Sequence, residues 1–117
     1  MPRAKKEDIF YTLLKDFAAR IDDAAEEYVK IINANGGQLK DAIGVPEDQL
    51  RAAARSAVCK INIDSDLRLG MTAGIRQHFN EHPDHFDPRQ YLGDGRANVK
   101  AIVAHKIAEV LGTNNRI

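Results

Sequence analysis

Val58-Cys59-Lys60-Ile61-Asn62-Ile63, followed by Asp64-Ser65-Asp66, decides how the rest of the chain is read. The first six residues carry β-branched bulk at Val58, Ile61 and Ile63, uninterrupted by Gly or Pro, and predict a short buried strand. The next three predict a polar turn into a helix. Asp64 or Ser65 is its cap, since a short side-chain oxygen accepts from the free amides of a first helical turn. A strand that ends in Asn and opens onto a helix N-terminus can bind an anion, because unpaired N–H groups and the helix dipole both favour phosphate. The same pattern serves an ordinary capped join, and local spacing does not separate the two.

Downstream, a helix is expected from about Ser65 to His82, with Leu67, Met71, Gly74, Ile75, His78 and Phe79 as its inward stripe. Met71 reads as core filling. Pro83 stops the helix. Residues 83–93 read as a loop, and Gly93-Asp94-Gly95 as a further turn. A last helix is expected from about Arg96 to Leu111, with Val99, Ile102, Val103, Ile107, Val110 and Leu111 on its apolar face, ended by Gly112-Thr113-Asn114-Asn115. Upstream, Pro46, Glu47 and Asp48 open a short helix whose apolar face is Leu50, Ala53, Ala54 and Ala57. Residues 38–44 are a polar connector. Before it, apolar residues from Phe10 to Ile32 recur at helical spacing and predict one long amphipathic helix, about Glu7 to Ala34, closed by Asn35-Gly36-Gly37. So long a stripe asks for a partner, either the later helices or another copy of the chain.

The 117 residues suit one small domain, and 17 basic against 17 acidic residues leave no net charge. That balance argues against a general nucleic-acid binder. No apolar run reaches the length of a membrane span, and no signal-peptide core follows the basic first residues. Cys59 is alone, which excludes an internal disulfide and fits a reducing cytosol, with Cys59 as a small buried strand residue.

Several separated motifs stand in one order: Glu27-Tyr28-Val29, Ile32-Asn33, Asn35-Gly36-Gly37, Lys40-Asp41-Ala42, Gly44-Val45-Pro46-Glu47, Cys59-Lys60-Ile61-Asn62-Ile63-Asp64-Ser65-Asp66 and Phe86-Asp87-Pro88-Arg89-Gln90-Tyr91-Leu92-Gly93. Together, over residues 26–117, they resemble the C-terminal quarter of class II, metal-dependent fructose-bisphosphate or tagatose-bisphosphate aldolases. Residues 1–25 do not share the resemblance. Where the family has a strand ending in a His- and Gly-containing loop, this chain reads Ile21-Asp22-Asp23-Ala24-Ala25-Glu26. Residues 5–30 instead resemble, over a short and helix-typical stretch, the opening helix of PhoU-like phosphate-transport regulators.

The resemblance implies a mostly α chain with one short strand: an incomplete C-terminal fragment of a TIM (β/α)8 barrel, preceded by a long amphipathic helix. One strand cannot close such a barrel. It further implies reversible aldol cleavage of a ketose bisphosphate to dihydroxyacetone phosphate and an aldehyde phosphate, in cytoplasmic carbohydrate metabolism (glycolysis). Substrate-binding residues carried over from the family are Asn62, Asp64, Ser65 and Arg89. The Asn binds the dihydroxyacetone phosphate part, and Ser65 offers its hydroxyl and amide to phosphate. Asp64 is expected to organise the loop by accepting backbone amides. Arg89 reaches the far phosphate in a neighbouring subunit's site, a task suited to its planar fork.

Catalytic residues and metal ligands belong, in the family, to segments this chain lacks. The chain alone is therefore expected to be inactive and to hold no cofactor, zinc or another divalent ion belonging to the full-length family. Expected partners are a phosphorylated sugar and further copies of the chain, with no nucleic acid and no membrane. The competing reading is a non-enzymatic helical interaction or regulatory module. His78 and His82 share a helix face, but no Glu sits beside the first as a zincin motif requires, and Pro83 breaks the geometry before His85. His105 has no matched partner by sequence. Lys60 belongs to the structural part of the motif.

Overall fold

The computed structural model describes residues 24–40 and 44–116. Among the described residues four α-helices follow one another: α1 (Ala24–Ala34), α2 (Glu47–Ala54), α3 (Ser65–Glu81) and α4 (Pro88–His105). A π-helical segment, Lys106–Leu111, continues α4. The expected helix Glu7–Ala34 is seen from Ala24 onward, and its earlier part lies outside the described residues. Its end follows the expected chemistry. Gly36 takes a left-handed φ of 85°, and the Gly37 amide donates back to the Ile32 carbonyl at 2.8 Å. Gly112, at φ 60°, ends the π-helical segment in the same way.

No strand forms among the described residues. Residues 58–64 run as unpaired chain between α2 and α3, with Val58 46% exposed and Cys59 exposed, so the expected buried strand and buried thiol are both corrected. The cause is the missing neighbour: a strand is held by its ladder, and β-branched residues create no ladder by themselves. Ile61 and Ile63 keep half-buried side chains.

The core is α1 packed on α3 and α3 packed on α4. Tyr28 and Ile32 from α1 meet Ala73 of α3 and Ile102 of α4, with Ile31, Leu67 and Leu69 around them. Here the expected loop over 83–93 and turn at Gly93–Gly95 are also corrected. Helix α4 begins at Pro88, whose missing amide is no loss in a first turn, and Asp87 caps it by accepting from the Arg89 amide at 2.9 Å. The glycines lie inside the helix because α3 crosses there at backbone distance. A Cβ on Gly74 would stand 2.9 Å from both the Asp94 carbonyl and the Gly95 nitrogen. The bulk that Gly lacks lets the helices touch, and that gain outweighs its poor helix propensity. Phe79, assigned to the inward stripe by sequence, is 43% exposed, while Gly70, Ala73, Gly74 and His78 are the buried residues of α3.

Helix α2 takes no part in that core. It packs on the π-helical segment, with Leu50 buried and the Arg51 Nε donating to the Glu109 carbonyl at 2.9 Å. Ala57, expected on its apolar face, lies past the helix and is exposed. No helix among the described residues is long and apolar enough to cross a membrane.

Candidate functional site

The turn from the unpaired segment into α3 forms one wall of a cavity of about 240 Å³. Asn62, Ile63, Asp64, Ser65 and Asp66 supply that wall, and Gly44, Val45 and Leu50 the other. Asp64 occupies the N-cap position of α3, yet its side chain makes no capping hydrogen bond. This corrects the expectation that it gathers backbone amides. Its carboxylate instead pairs with Arg68 one turn on, at 2.6 Å, and both side chains are well exposed. Such a surface pair contributes little to stability. The consequence lies at the helix end. The first-turn amides of α3 have no intrahelical acceptors by construction, and the carboxylate that normally takes them is turned away. The Asp64 side chain leaves them uncapped at the positive end of a 17-residue helix.

Of the four residues singled out by sequence, the structure brings Asn62, Asp64 and Ser65 together and leaves Arg89 apart. Arg89 stands in a separate hollow of about 430 Å³ with Met71, Leu92, Arg96 and Val99. Its guanidinium, 90% exposed, is held by Asp87 at 2.6 Å. That side-chain hydrogen bond from Arg89, with the one from the Arg89 amide, holds the Asp87 carboxyl below its ordinary value, and Asp87 in turn raises Arg89.

Behind the cavity is a charge network that the sequence did not disclose. Lys106, only 3% exposed, donates to Glu47 Oε1 at 2.9 Å and lies 2.6 Å from Asp66 Oδ2. His105 Nε2 lies 3.0 Å from Glu47 Oε2, which corrects the expectation of no partner, and Arg51 adds a looser contact to Glu47 at 3.6 Å. His105 Nδ1 is buried with no hydrogen-bond partner among the described residues. Burial by itself would raise the Glu47 carboxyl. Hydrogen bonds from His105 and Lys106 and the attraction of their charges outweigh it and hold Glu47 at about 2. Burial would likewise lower the Lys106 ammonium, but hydrogen bonds and attraction from Asp66 and Glu47 hold it above its ordinary value. One signal could have revealed the group: Lys106 sits midway between Ile102 and Val110 at steps of four, on the buried stripe. A lysine there implies paired carboxylates nearby.

His78 of α3 and the two histidines just beyond that helix, His82 and His85, form a second cluster. His78 is buried, with Nδ1 at 2.7 Å from Asp94 Oδ2 and Nε2 at 3.0 Å from His85 Nδ1. The His82 and His85 rings stack at 4.6 Å. Among the described residues no three His, Cys, Asp or Glu side chains are placed to hold one metal ion.

Residues 4–116 match the family model for fructose-bisphosphate aldolase class-II. The match runs across residue 25, where the motif resemblance stopped. The chain is 54% identical over 90 residues to a fructose-bisphosphate aldolase of Treponema pallidum, covering 77% of this chain and 27% of that protein. It is 49% identical over 77 residues to one from Giardia intestinalis, covering 66% of this chain and 24% of the relative. For one from Thermus caldophilus the figures are 37% over 91 residues, 78% and 30%. The chain thus spans between 24% and 30% of the length of these relatives.

Proposed function

Because the chain belongs to the class II fructose-bisphosphate aldolase family, we propose that it supplies the substrate-phosphate end of such an enzyme's site at the Asn62–Ser65 turn. The observation that carries this reading is the uncapped N-terminus of α3 opening on the cavity lined by Asn62 and Ser65. The first-turn amides and the Ser65 hydroxyl hydrogen-bond phosphate oxygens, and the helix dipole favours the negative charge. The Asn62 amide donates to the sugar oxygen that gains charge during aldol cleavage of a ketose bisphosphate, a preorganised electrostatic contribution. Asp64 and Asp66 face the same cavity, and their pairing with Arg68 and Lys106 offsets the repulsion they would exert.

The family as a whole is metal-dependent. Among the described residues no three metal-ligating side chains converge; this reading gives the chain binding and orientation, and it expects no aldol cleavage from the chain alone. Where other strands flank them, as in a (β/α)8 barrel, residues 58–63 have the β-branched composition to form a strand, and the turn would then stand at its C-terminal end, where such barrels bind phosphate. Arg89, 90% exposed in its pair with Asp87, exchanges that carboxylate for the far phosphate of a ketose bisphosphate held by a neighbouring subunit of a homo-oligomer. The same reading carries a cytoplasmic, glycolytic setting.

Titration with inorganic phosphate, followed by amide NMR, tests the turn. The Asp64, Ser65 and Asp66 signals are expected to move first, with a dissociation constant in the millimolar range, or roughly 4 kcal/mol. Ser65→Ala is expected to weaken the effect severalfold. Absence of any shift at tens of millimolar phosphate would contradict the assignment.

A further inference from the structure

The two walls of the cavity belong to different packing groups. Helix α2, which follows Gly44 and Val45, packs on the π-helical segment, and α3 packs on α1 and α4. Gly44 approaches Asp66 directly, a Cβ on it standing 3.5 Å from Asp66 Oδ1, and a buried ammonium bridges the two walls. Lys106 lies 2.9 Å from Glu47, the first residue of α2, and 2.6 Å from Asp66, the second residue of α3. We infer that Lys106 is a positioning residue: through Asp66 and Glu47 it fixes the Asn62–Ser65 turn against the opposite wall and so sets the geometry in which the turn's amides meet phosphate. The inference rests on the proposed phosphate role of the turn and adds the group that holds it.

The supporting chemistry is burial and valence. An ammonium has three donors, and a buried one must spend them on specific acceptors. Glu47 and Asp66 are the acceptors, and neither sits on the element that carries Lys106. The Lys106 contact pulls Asp66 toward the protein interior, since the Asp66 side chain is only 14% exposed while that of Asp64, two residues earlier, is 65% exposed. Two acidic residues at one helix start therefore have different tasks. Asp64 faces solvent with Arg68, and Asp66 anchors the turn from behind.

Asp66→Ala cuts the anchor and leaves Lys106 its contact with Glu47. Asp66→Asn removes the same negative charge but keeps an oxygen for Lys106. If Asp66 acts on phosphate only through its charge, both variants bind inorganic phosphate more tightly. If it anchors the turn, the two separate. Asp66→Ala is expected to raise the phosphate dissociation constant about tenfold and to lower the backbone NMR order parameters of residues 62–66, with α1 and α4 unchanged. Asp66→Asn is expected to bind phosphate more tightly than Asp66→Ala and to keep the order parameters closer to those of the unsubstituted chain. Equal binding and equal order parameters in the two variants would overturn the inference. Should the unsubstituted chain bind no phosphate, the reading of the turn fails on its own. Order parameters of residues 62–66, measured without ligand, then still decide whether the anchor exists. Should Asp66→Ala not fold, Glu47→Gln provides the same measurement at Gly44 and Val45, and unchanged order parameters there overturn the inference.

Discussion

Replacing Lys106 with methionine is expected to destabilise the chain by about 3–5 kcal/mol, the range seen when one member of a buried ionic group is removed. Methionine has nearly the volume and reach of the lysine stem, so little packing is lost. What changes is the state of two carboxylates. Glu47 is 8% exposed and Asp66 has its side chain turned inward, and both would be left without their ammonium partner. Urea unfolding followed by far-UV circular dichroism measures the loss. The neutral combination of Glu47→Gln, Asp66→Asn and Lys106→Met is expected to recover most of it, because no buried carboxylate or ammonium is left unpaired and Arg51 reaches solvent. Arg68→Met, which breaks only the exposed pair with Asp64, is expected to change stability by less than about 1 kcal/mol. A Lys106→Met effect as small as that of Arg68→Met would show that the network does not hold the structure.

Acid is expected to act on the same group. The Glu47 carboxyl is lowered from 4.5 to about 2. A depressed carboxyl contributes stability that is fully present above its unfolded value and is lost as pH falls through its folded value. The window is therefore from about 4.5 down to about 2. The shift corresponds to about 3 kcal/mol at most. Lys106 works at the other end: its raised value gives stability present below the ordinary lysine value and lost only as pH rises beyond it. Urea midpoints measured across the acid range are expected to fall in the native chain. In Glu47→Gln the part of that fall due to this carboxyl is expected to disappear, leaving a flatter profile on a lower plateau. Parallel profiles for the two proteins would contradict the role assigned to Glu47.

Helix ends were legible because their causes are local. Gly36 and Gly112 take left-handed backbone where the sequence placed stops, and Pro83 follows the end of α3 directly. The segment at 58–63 was misread because strand formation depends on neighbours that no local pattern supplies. Gly93 and Gly95 were misread for a related reason. Glycine marks a turn when only the backbone is considered, and a close helix crossing when the partner helix is known; here Gly74 of α3 is that partner. The candidate site divides along the same line. Asn62 and Ser65 are near in sequence, so their shared cavity was foreseeable. The Glu47–Lys106 contact spans 59 positions and could be inferred only from the oddity of a lysine on an apolar stripe. Asp64 and Arg68 make an ordinary one-turn pair, and that pairing competes with the cap role that the position of Asp64 suggests.

The most direct test of the substrate reading compares dihydroxyacetone phosphate with inorganic phosphate in separate NMR titrations of the full chain. Both are expected to shift the Ser65 and Asp66 backbone amides. Only dihydroxyacetone phosphate is expected to shift the Asn62 side-chain amide as well, because only it carries the oxygen assigned to that group. Movement of Asn62 together with Ser65 would place the sugar end and the phosphate end of one ligand on this turn. No movement at Asn62 or Ser65 at tens of millimolar ligand, or movement confined to surface lysines away from the turn, would contradict it.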